Sequence, residues 1–512
     1  MLKQKWFRAL CRWRFYIIVL LLIQVALMVY VVISGSMTSK IVSTVLQLVS
    51  LAVAVYVISR REYGVYKLMW VFLILLVPVF GGLFYLLFTF QSSTKRFQKR
   101  IMHAAKKSKD LWSLPETGYT EALAKAPEHA QQIRYLQNFA GFPIYQNSKT
   151  QYLSPGERKL EKLLEELEKA ENYIFLEYFI VQEGEMWDKI LEVLKRKAQA
   201  GVKVRLLYDD FGCFILLPKD YPKRLKEYGI ECAIFNPFRP FLTAKQNNRD
   251  HRKIVSIDGK VAFTGGINLA DEYINAIDKH GHWKDASVVV EGKAAWSFTL
   301  MFLQMWEVVT GTDEAYESYY PWSDSPCTVE SRGFALPYAD SPMDKENVGD
   351  HVYKQILYNA KDYVYICTPY LIVDDSMVSA LSLAAKSGVD VRIITPHKGD
   401  HWFVHMTTRS YYRELIHAGV KIYEYTNGFI HSKTFVSDDT TATVGTTNLD
   451  FRSLYMHFEC GLWMYDSEAV TEVKEDFLKT LEICHPIAAE DCKESLFTRS
   501  VQDFLRLFAP LM

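Results

Sequence analysis

One pattern occurs twice in this chain and constrains its folding more than any other feature. His251-Arg252-Lys253 is followed after four residues by Asp258, and after six more by a turn of small residues, Gly265-Gly266-Ile267-Asn268. The same skeleton returns as His431-Ser432-Lys433, Asp438 and Gly445-Thr446-Thr447-Asn448. Ile254, Val255 and Ile257 supply the apolar, β-branched content of a buried strand. Alternate residues of a strand share a face, so the pattern predicts His251 beside Lys253 and His431 beside Lys433. One such triplet arises easily by accident. Two, each with matching Asp, Gly and Asn downstream, call for a fold whose halves are alike.

A His and a Lys on one face set a nucleophile or acid beside a fixed positive charge. One set can hold a phosphate but cannot both attack it and protonate its leaving group. Two facing sets can, one imidazole attacking phosphorus while the other protonates the departing alkoxide. Lys253 and Lys433, with Asn268 and Asn448, would then neutralise charge on the non-bridging oxygens. No Cys or carboxylate completes a zinc ligand set around either His, so neither metal nor cofactor is expected. Two core strands with incidental polar residues would instead bury an unpaired Lys twice at matched positions, which is costly.

These residues resemble the duplicated HKD motif of the phospholipase D superfamily, and within it the chain is similar to bacterial cardiolipin synthases. The likeness runs from about residue 156 to the C-terminus and is densest at 248–268, 388–392, 409–412 and 445–453. It implies catalytic roles for His251, Lys253, Asp258, His431, Lys433 and Asp438, with Gly266 and Thr446 in support. His282-Trp283-Lys284-Asp285 is similar to the family's W-R-D stretch, with Lys284 where Arg is usual, and Glu459 falls where the family has an acid. The resemblance therefore implies that Asp285 and Glu459 orient the two histidines, each on one imidazole; surface salt bridges are the plainer alternative. At His457 the family usually has Asn, so the change is either neutral or alters the grip on a headgroup.

At 512 residues the chain is too long for one ordinary domain. Its 59 Lys and Arg balance its 59 Asp and Glu, which argues against a nucleic-acid binder relying on bulk positive charge. The eight cysteines form no C-x-x-C pair and read as buried small hydrophobes.

Residues 1–94 form a membrane region. Lys3, Lys5, Arg8, Arg12 and Arg14 precede an apolar run at 15–33, and further runs cover 41–58 and 65–90. Each is near or above the length that crosses a bilayer. The basic N-terminus and Arg60-Arg61 suggest cytoplasmic ends, so three spans would put the catalytic part outside. Pro78 and Gly81-Gly82 leave a re-entrant hairpin open, and Lys95, Arg96, Lys99 and Arg100 favour it. Three spans are the expectation, because long domains translocate largely regardless of charge.

Residues 95–150 are polar and basic and read as a linker. Two lobes follow, at 151–325 and 340–512, separated where Pro, Ser and Asp concentrate. Ser154-Pro155-Gly156-Glu157 predicts a capping box for a helix through Leu160, Leu163, Leu164 and Leu167. Strand, helix, strand then recurs in each lobe: 173–176, a helix through Ile190 to Gly201, 202–208; and 363–366, a helix through Leu381, 389–395. That order indicates βαβ units. The predicted class is α/β, two similar lobes of mixed sheet flanked by helices about a pseudo-twofold axis, after N-terminal transmembrane helices. Residues 211–217 and 235–242 suggest either lipid-facing or packed loops, and the amphipathic C-terminal segment is expected to pack on the domain.

The resemblance implies a multi-pass protein of the bacterial plasma membrane that makes cardiolipin and glycerol from two phosphatidylglycerol molecules. It implies a phosphatidyl-histidine on His251, with His431 as acid and then base. Hydrolysis by water, or transfer to another alcohol, is not separated from this by the motif. Two intact sets argue against a membrane scaffold with retired motifs. The implied partners are phospholipid and membrane, without nucleic acid; a homo-oligomer is left open.

Overall fold

The computed structural model describes residues 36–512 except 61–63, 78–80, 83–84, 87–91, 116, 238–243, 324–325 and 345. The first apolar run, at 15–33, and most of the aromatic stretch 235–242 lie outside the described residues. The chain divides into two compact units, 1–91 and 92–512.

In the first unit, helix Met37–Ser59 carries the second apolar run. Over Lys40–Ser59 it is long and apolar enough to cross a membrane, and no other helix among the described residues is. The third run is not a straight continuation. Helix Gly64–Leu76 is too short to cross, and a Cβ on Gly81 would stand 2.7 Å from the Ile74 Cα. Gly82 donates its N–H to the Ser50 hydroxyl (3.3 Å), and Arg60 donates to the Tyr85 hydroxyl (3.2 Å). Ser50 lies mid-helix and Arg60 at the helix end, so the chain beyond Leu76 doubles back. The described part of the third run is therefore not one straight helix.

The second unit contains two mixed sheets on one plan. In spatial order the first runs Ser148–Leu153, Ser287–Gly292, Val261–Gly265, Ile254–Ile257, Tyr173–Tyr178, Lys203–Asp209, Glu231–Phe235. The last three are parallel and the rest antiparallel. The second repeats this with Phe334–Asp340, Glu459–Tyr465, Thr441–Gly445, Thr434–Ser437, Tyr363–Cys367, Asp390–Pro396, Lys421–Tyr425, and adds Cys484–Ile487 at its far edge. The expected α/β duplication is the fold. Each lobe begins earlier than predicted, because Ser148–Leu153 and Phe334–Asp340 are the outer strands of their sheets.

Helix Gly156–Glu168 buries Leu160, Leu163 and Leu167 and exposes Glu161 and Glu165, a 3.6-residue stripe against the sheet. Its predicted capping box does not form. Ser154 instead accepts from Lys284 (2.9 Å) and Glu157 from Asn275 (3.0 Å). Helix Ala295–Thr310, buried almost all round, packs on the first sheet. Residues 95–150 are no linker: helix Ser92–Ser108 lies on Ala295–Thr310, and Lys107 pairs with Glu307 at 2.8 Å. The C-terminal helix Leu496–Arg506 packs on Trp402–His417, where Arg506 covers the Tyr411 ring at 4.2 Å.

Candidate active site

The H-x-K residues are not strand residues. The strands begin immediately afterwards, at Ile254 and Thr434, and each H-x-K is the loop that enters one. His and Lys are brought together by a hydrogen bond instead of a shared strand face. Lys253 donates its Nζ–H to the His251 carbonyl (2.6 Å), and Lys433 donates to the His431 carbonyl.

Exchange between the halves joins the two loops. Strand Gly428–Ile430, which leads into His431, pairs in parallel with His282–Lys284, which leads into Asp285. Asp250, just before His251, pairs with Phe458, just before Glu459. The His431 N–H bonds the Lys284 carbonyl (2.7 Å), and the His251 N–H bonds the Phe458 carbonyl (2.9 Å). Each imidazole therefore meets the carboxylate of the other half. His431 Nδ1 lies 2.7 Å from Asp285, and His251 Nδ1 lies 2.9 and 3.0 Å from the Glu459 oxygens. All four side chains are buried, so these are not surface salt bridges.

Gly266 and Thr446 shape the two pairs differently. A Cβ on Gly266 would stand 2.1 Å from Asp285 Oδ1, so this carboxylate occupies the space a side chain would need. At the matching position the Thr446 hydroxyl donates to Glu459. Asn268 accepts from the Ile180 N–H (3.1 Å) and donates to the Tyr273 hydroxyl (2.7 Å), while Asn448 Oδ1 is buried without a hydrogen-bond partner. Asp258 and Asp438 stand apart, at the far ends of their strands. Asp258 accepts from the N–H groups of Glu171, Asn172 and Tyr173 (2.8, 2.8 and 2.7 Å). Asp438 accepts from Lys361, Asp362 and Tyr363 (2.8, 3.0 and 2.9 Å). Both Asp residues have positive φ, at 50° and 52°, and tie the strand's end to the neighbouring chain.

Burial sets the electrostatics. It lowers Lys253 to about 8 and Lys433 to about 7, even though Asp285 and Glu459 favour the charged forms. It also lowers His431 to about 4, with Lys433 adding to the effect and Asp285 opposing it. His251 is pushed well below the usual imidazole range by burial, then by Lys253, His457 and Lys433. Glu459 is pushed up by burial, against Lys253 and the Thr446 hydroxyl. The result is a buried, anion-seeking site whose two imidazoles are neutral when empty.

Residues 163–306 and 353–481, together just over half the chain, match the family described as cardiolipin synthase, PLD-like domain. Residues 48–88 match the phospholipase D-nuclease N-terminal family. Named cardiolipin synthases of Alkalihalophilus pseudofirmus and Halalkalibacterium halodurans are 35% and 34% identical, over 92% and 90% of this chain and 93% and 92% of theirs. An uncharacterised Streptococcus mutans protein is 44% identical over 89% of this chain and 99% of its own. The chain belongs to the cardiolipin synthase family. A solved phosphatidylserine synthase of Haemophilus influenzae shares its fold, with a TM-score of 0.55 at 14% identity over 74% of this chain and 97% of that one.

This cardiolipin synthase family member has further buried charges around its loops that pattern reading did not single out. Arg252 pairs with Glu177 (2.6 Å) and Asp250 (3.3 Å), and Arg249 pairs with Asp209 (2.7 Å). Lys159 is wholly buried, donates to the Ile267 carbonyl (2.9 Å) and Tyr178 hydroxyl (3.1 Å), and is lowered by burial to about 7. Its sequence signal was a Lys on the apolar stripe of helix Gly156–Glu168. His457 departs from the family's usual Asn, and the sequence does not show what surrounds it. His251, His457 and Glu459 place possible metal-ligand atoms within 4.8 Å of one another. The carboxylate thought to be missing around His251 is thus supplied by the other half of the chain.

Proposed function

We propose that the protein transfers a phosphatidyl group from one phosphatidylglycerol to a hydroxyl of a second, releasing glycerol and forming cardiolipin. The crossed His–carboxylate pairs around two buried lysines carry this reading. A hydrogen bond from His251 Nδ1–H to Glu459 leaves the Nε2 lone pair free to attack phosphorus. The P–O bond to glycerol breaks, and His431, which takes up a proton with the phosphodiester anion, gives that proton to the departing oxygen. His431 then takes the proton of the incoming hydroxyl, whose oxygen displaces His251 Nε2 and restores the enzyme. Lys253 and Lys433 offset the charge on the non-bridging oxygens. Assigning His251 as nucleophile fits the asymmetry of the pairs: Lys433 and Lys253 oppose a proton on His431 but Asp285 helps to hold it, while Lys253, His457, Lys433 and His431 all oppose one on His251. The relatives named cardiolipin synthase support this acceptor.

The purified full chain, given phosphatidylglycerol alone with a chelator present, is expected to yield cardiolipin and glycerol in equal amounts. Phosphatidic acid as the sole lipid product would make the protein a hydrolase. Loss of activity on chelation, restored by one divalent ion, would bring a metal into the step.

The lysines must be charged to hold the phosphodiester, and each loses its proton as pH rises. Affinity for the phosphodiester is therefore expected to weaken through about pH 7 to 8 as Lys433 and then Lys253 are neutralised. An alkaline limb starting only near the ordinary lysine range would contradict this.

The doubled-back third run leaves 15–33 and 41–58 as the proposed spans, which puts the catalytic part on the cytoplasmic side with the basic N-terminus. A C-terminal tag is expected to resist protease in intact cells. Cleavage of that tag in intact cells would restore the three-span arrangement.

A further inference from the structure

The pseudo-twofold axis relates two rings whose chemistry differs. Trp283 and His457 each stand two residues before the carboxylate that holds the opposite half's histidine. The Trp283 ring lies 5.5 Å from that of His431, and the His457 ring 5.6 Å from that of His251. Both are buried, at 6% and 10% exposure. Neither Trp283 Nε1 nor either ring nitrogen of His457 has a hydrogen-bond partner in the protein. Glu459, the acid nearest His457, is 3.9 Å from its Nδ1, too far for a hydrogen bond.

Buried polar atoms are almost always paired, so orphans beside a reactive group point to a partner that arrives with the ligand. Burial, together with Arg452, Lys253 and Arg249, keeps His457 neutral. A neutral imidazole offers one donor and one acceptor, whereas an indole can only donate. Phosphate and ester oxygens only accept, which suits the indole. A hydroxyl both donates and accepts, which suits the imidazole.

We propose that His457 is a specificity-determining residue that hydrogen-bonds a free hydroxyl of the glycerol headgroup bound at His251, while the Trp283 side offers only a donor. This rests on the phosphatidyltransferase reading, and it means that the two halves are not interchangeable towards alcohol-bearing lipid.

The test compares headgroup release by the full chain, in single turnover with protein in excess so that no acceptor hydroxyl is needed, from phosphatidylglycerol and from phosphatidylethanol, whose headgroup has no free hydroxyl. The wild-type chain is expected to prefer phosphatidylglycerol, because a site built to bind a hydroxyl discriminates against its absence. His457→Phe is expected to lower the single-turnover rate of release from phosphatidylglycerol about tenfold more than that from phosphatidylethanol, the ratio that one hydrogen bond provides. His457→Asn, whose amide keeps a donor and an acceptor, is expected to retain the preference. Equal losses on both donors in the Phe variant would assign His457 to packing and overturn the proposal, as would an unchanged preference. One equivalent of zinc in the purified protein, lost with His457→Asn, would make the residue a metal ligand and also overturn it. A wild-type chain that releases no glycerol from phosphatidylglycerol would instead refute the phosphatidyltransferase reading itself.

Discussion

Replacing His251 with Ala is expected to abolish both turnover and any covalent lipid adduct, a loss on the order of 10⁴-fold or more, as for removal of other catalytic nucleophiles. Replacing His431 with Ala is expected to slow turnover by about 10²–10⁴-fold, the range for losing a general acid. That variant should still form the adduct from a substrate with a good leaving group, because such a group departs without a proton. A denaturing quench at mildly alkaline pH, which preserves the acid-labile N–P bond, followed by mass measurement of the protein distinguishes the two. An adduct that survives in His251→Ala and vanishes in His431→Ala would reverse the assignment.

The second large effect falls on stability. The Asp258 carboxylate accepts three backbone N–H groups, of which that of Tyr173 belongs to a buried residue. Asp258→Ala leaves these donors without it and puts Ala at a φ of 50°. The expected destabilisation is about 2–4 kcal/mol, read as a lower melting temperature. Asp438→Ala should behave alike, because its contacts repeat those of Asp258. Asp258→Asn keeps an acceptor oxygen and tolerates the backbone, so it should lose less. Activity per folded molecule should remain within severalfold of wild type. Full stability with no turnover would place this carboxylate in the chemistry.

The duplication was legible because it is written in local patterns: β-branched runs for the strands and leucines at helical spacing. The site was legible as a set of residues but not as an arrangement. Nothing near His251 indicates that Glu459 will hold it, since the two meet only when Asp250 pairs with Phe458 across the halves. Nor does the motif show that Asp258 and Asp438 meet backbone N–H groups, because conspicuous spacing looks the same whether a carboxylate meets those or substrate. Helix Ala295–Thr310 escaped attention because, apolar almost all round, it has no stripe for a periodicity argument to find. Helix Ser92–Ser108 was hidden for the opposite reason. Phe97, Ile101 and Ala104 carry its packing among many basic side chains. In the membrane region, composition does not tell a kinked span from a hairpin, and the approach of Gly81 to Ile74 is what motivates the proposed hairpin.

The central claim is a double displacement at one site built by both halves, and the configuration at phosphorus tests it most directly. Phosphatidylglycerol made chiral at phosphorus, with one sulfur replacing a non-bridging oxygen, can be converted and the product's configuration determined. Attack by His251 inverts phosphorus, and attack by the acceptor hydroxyl inverts it again, so overall retention is predicted. Inversion would mean that the acceptor attacks the phosphodiester directly, with no phosphatidyl-histidine between.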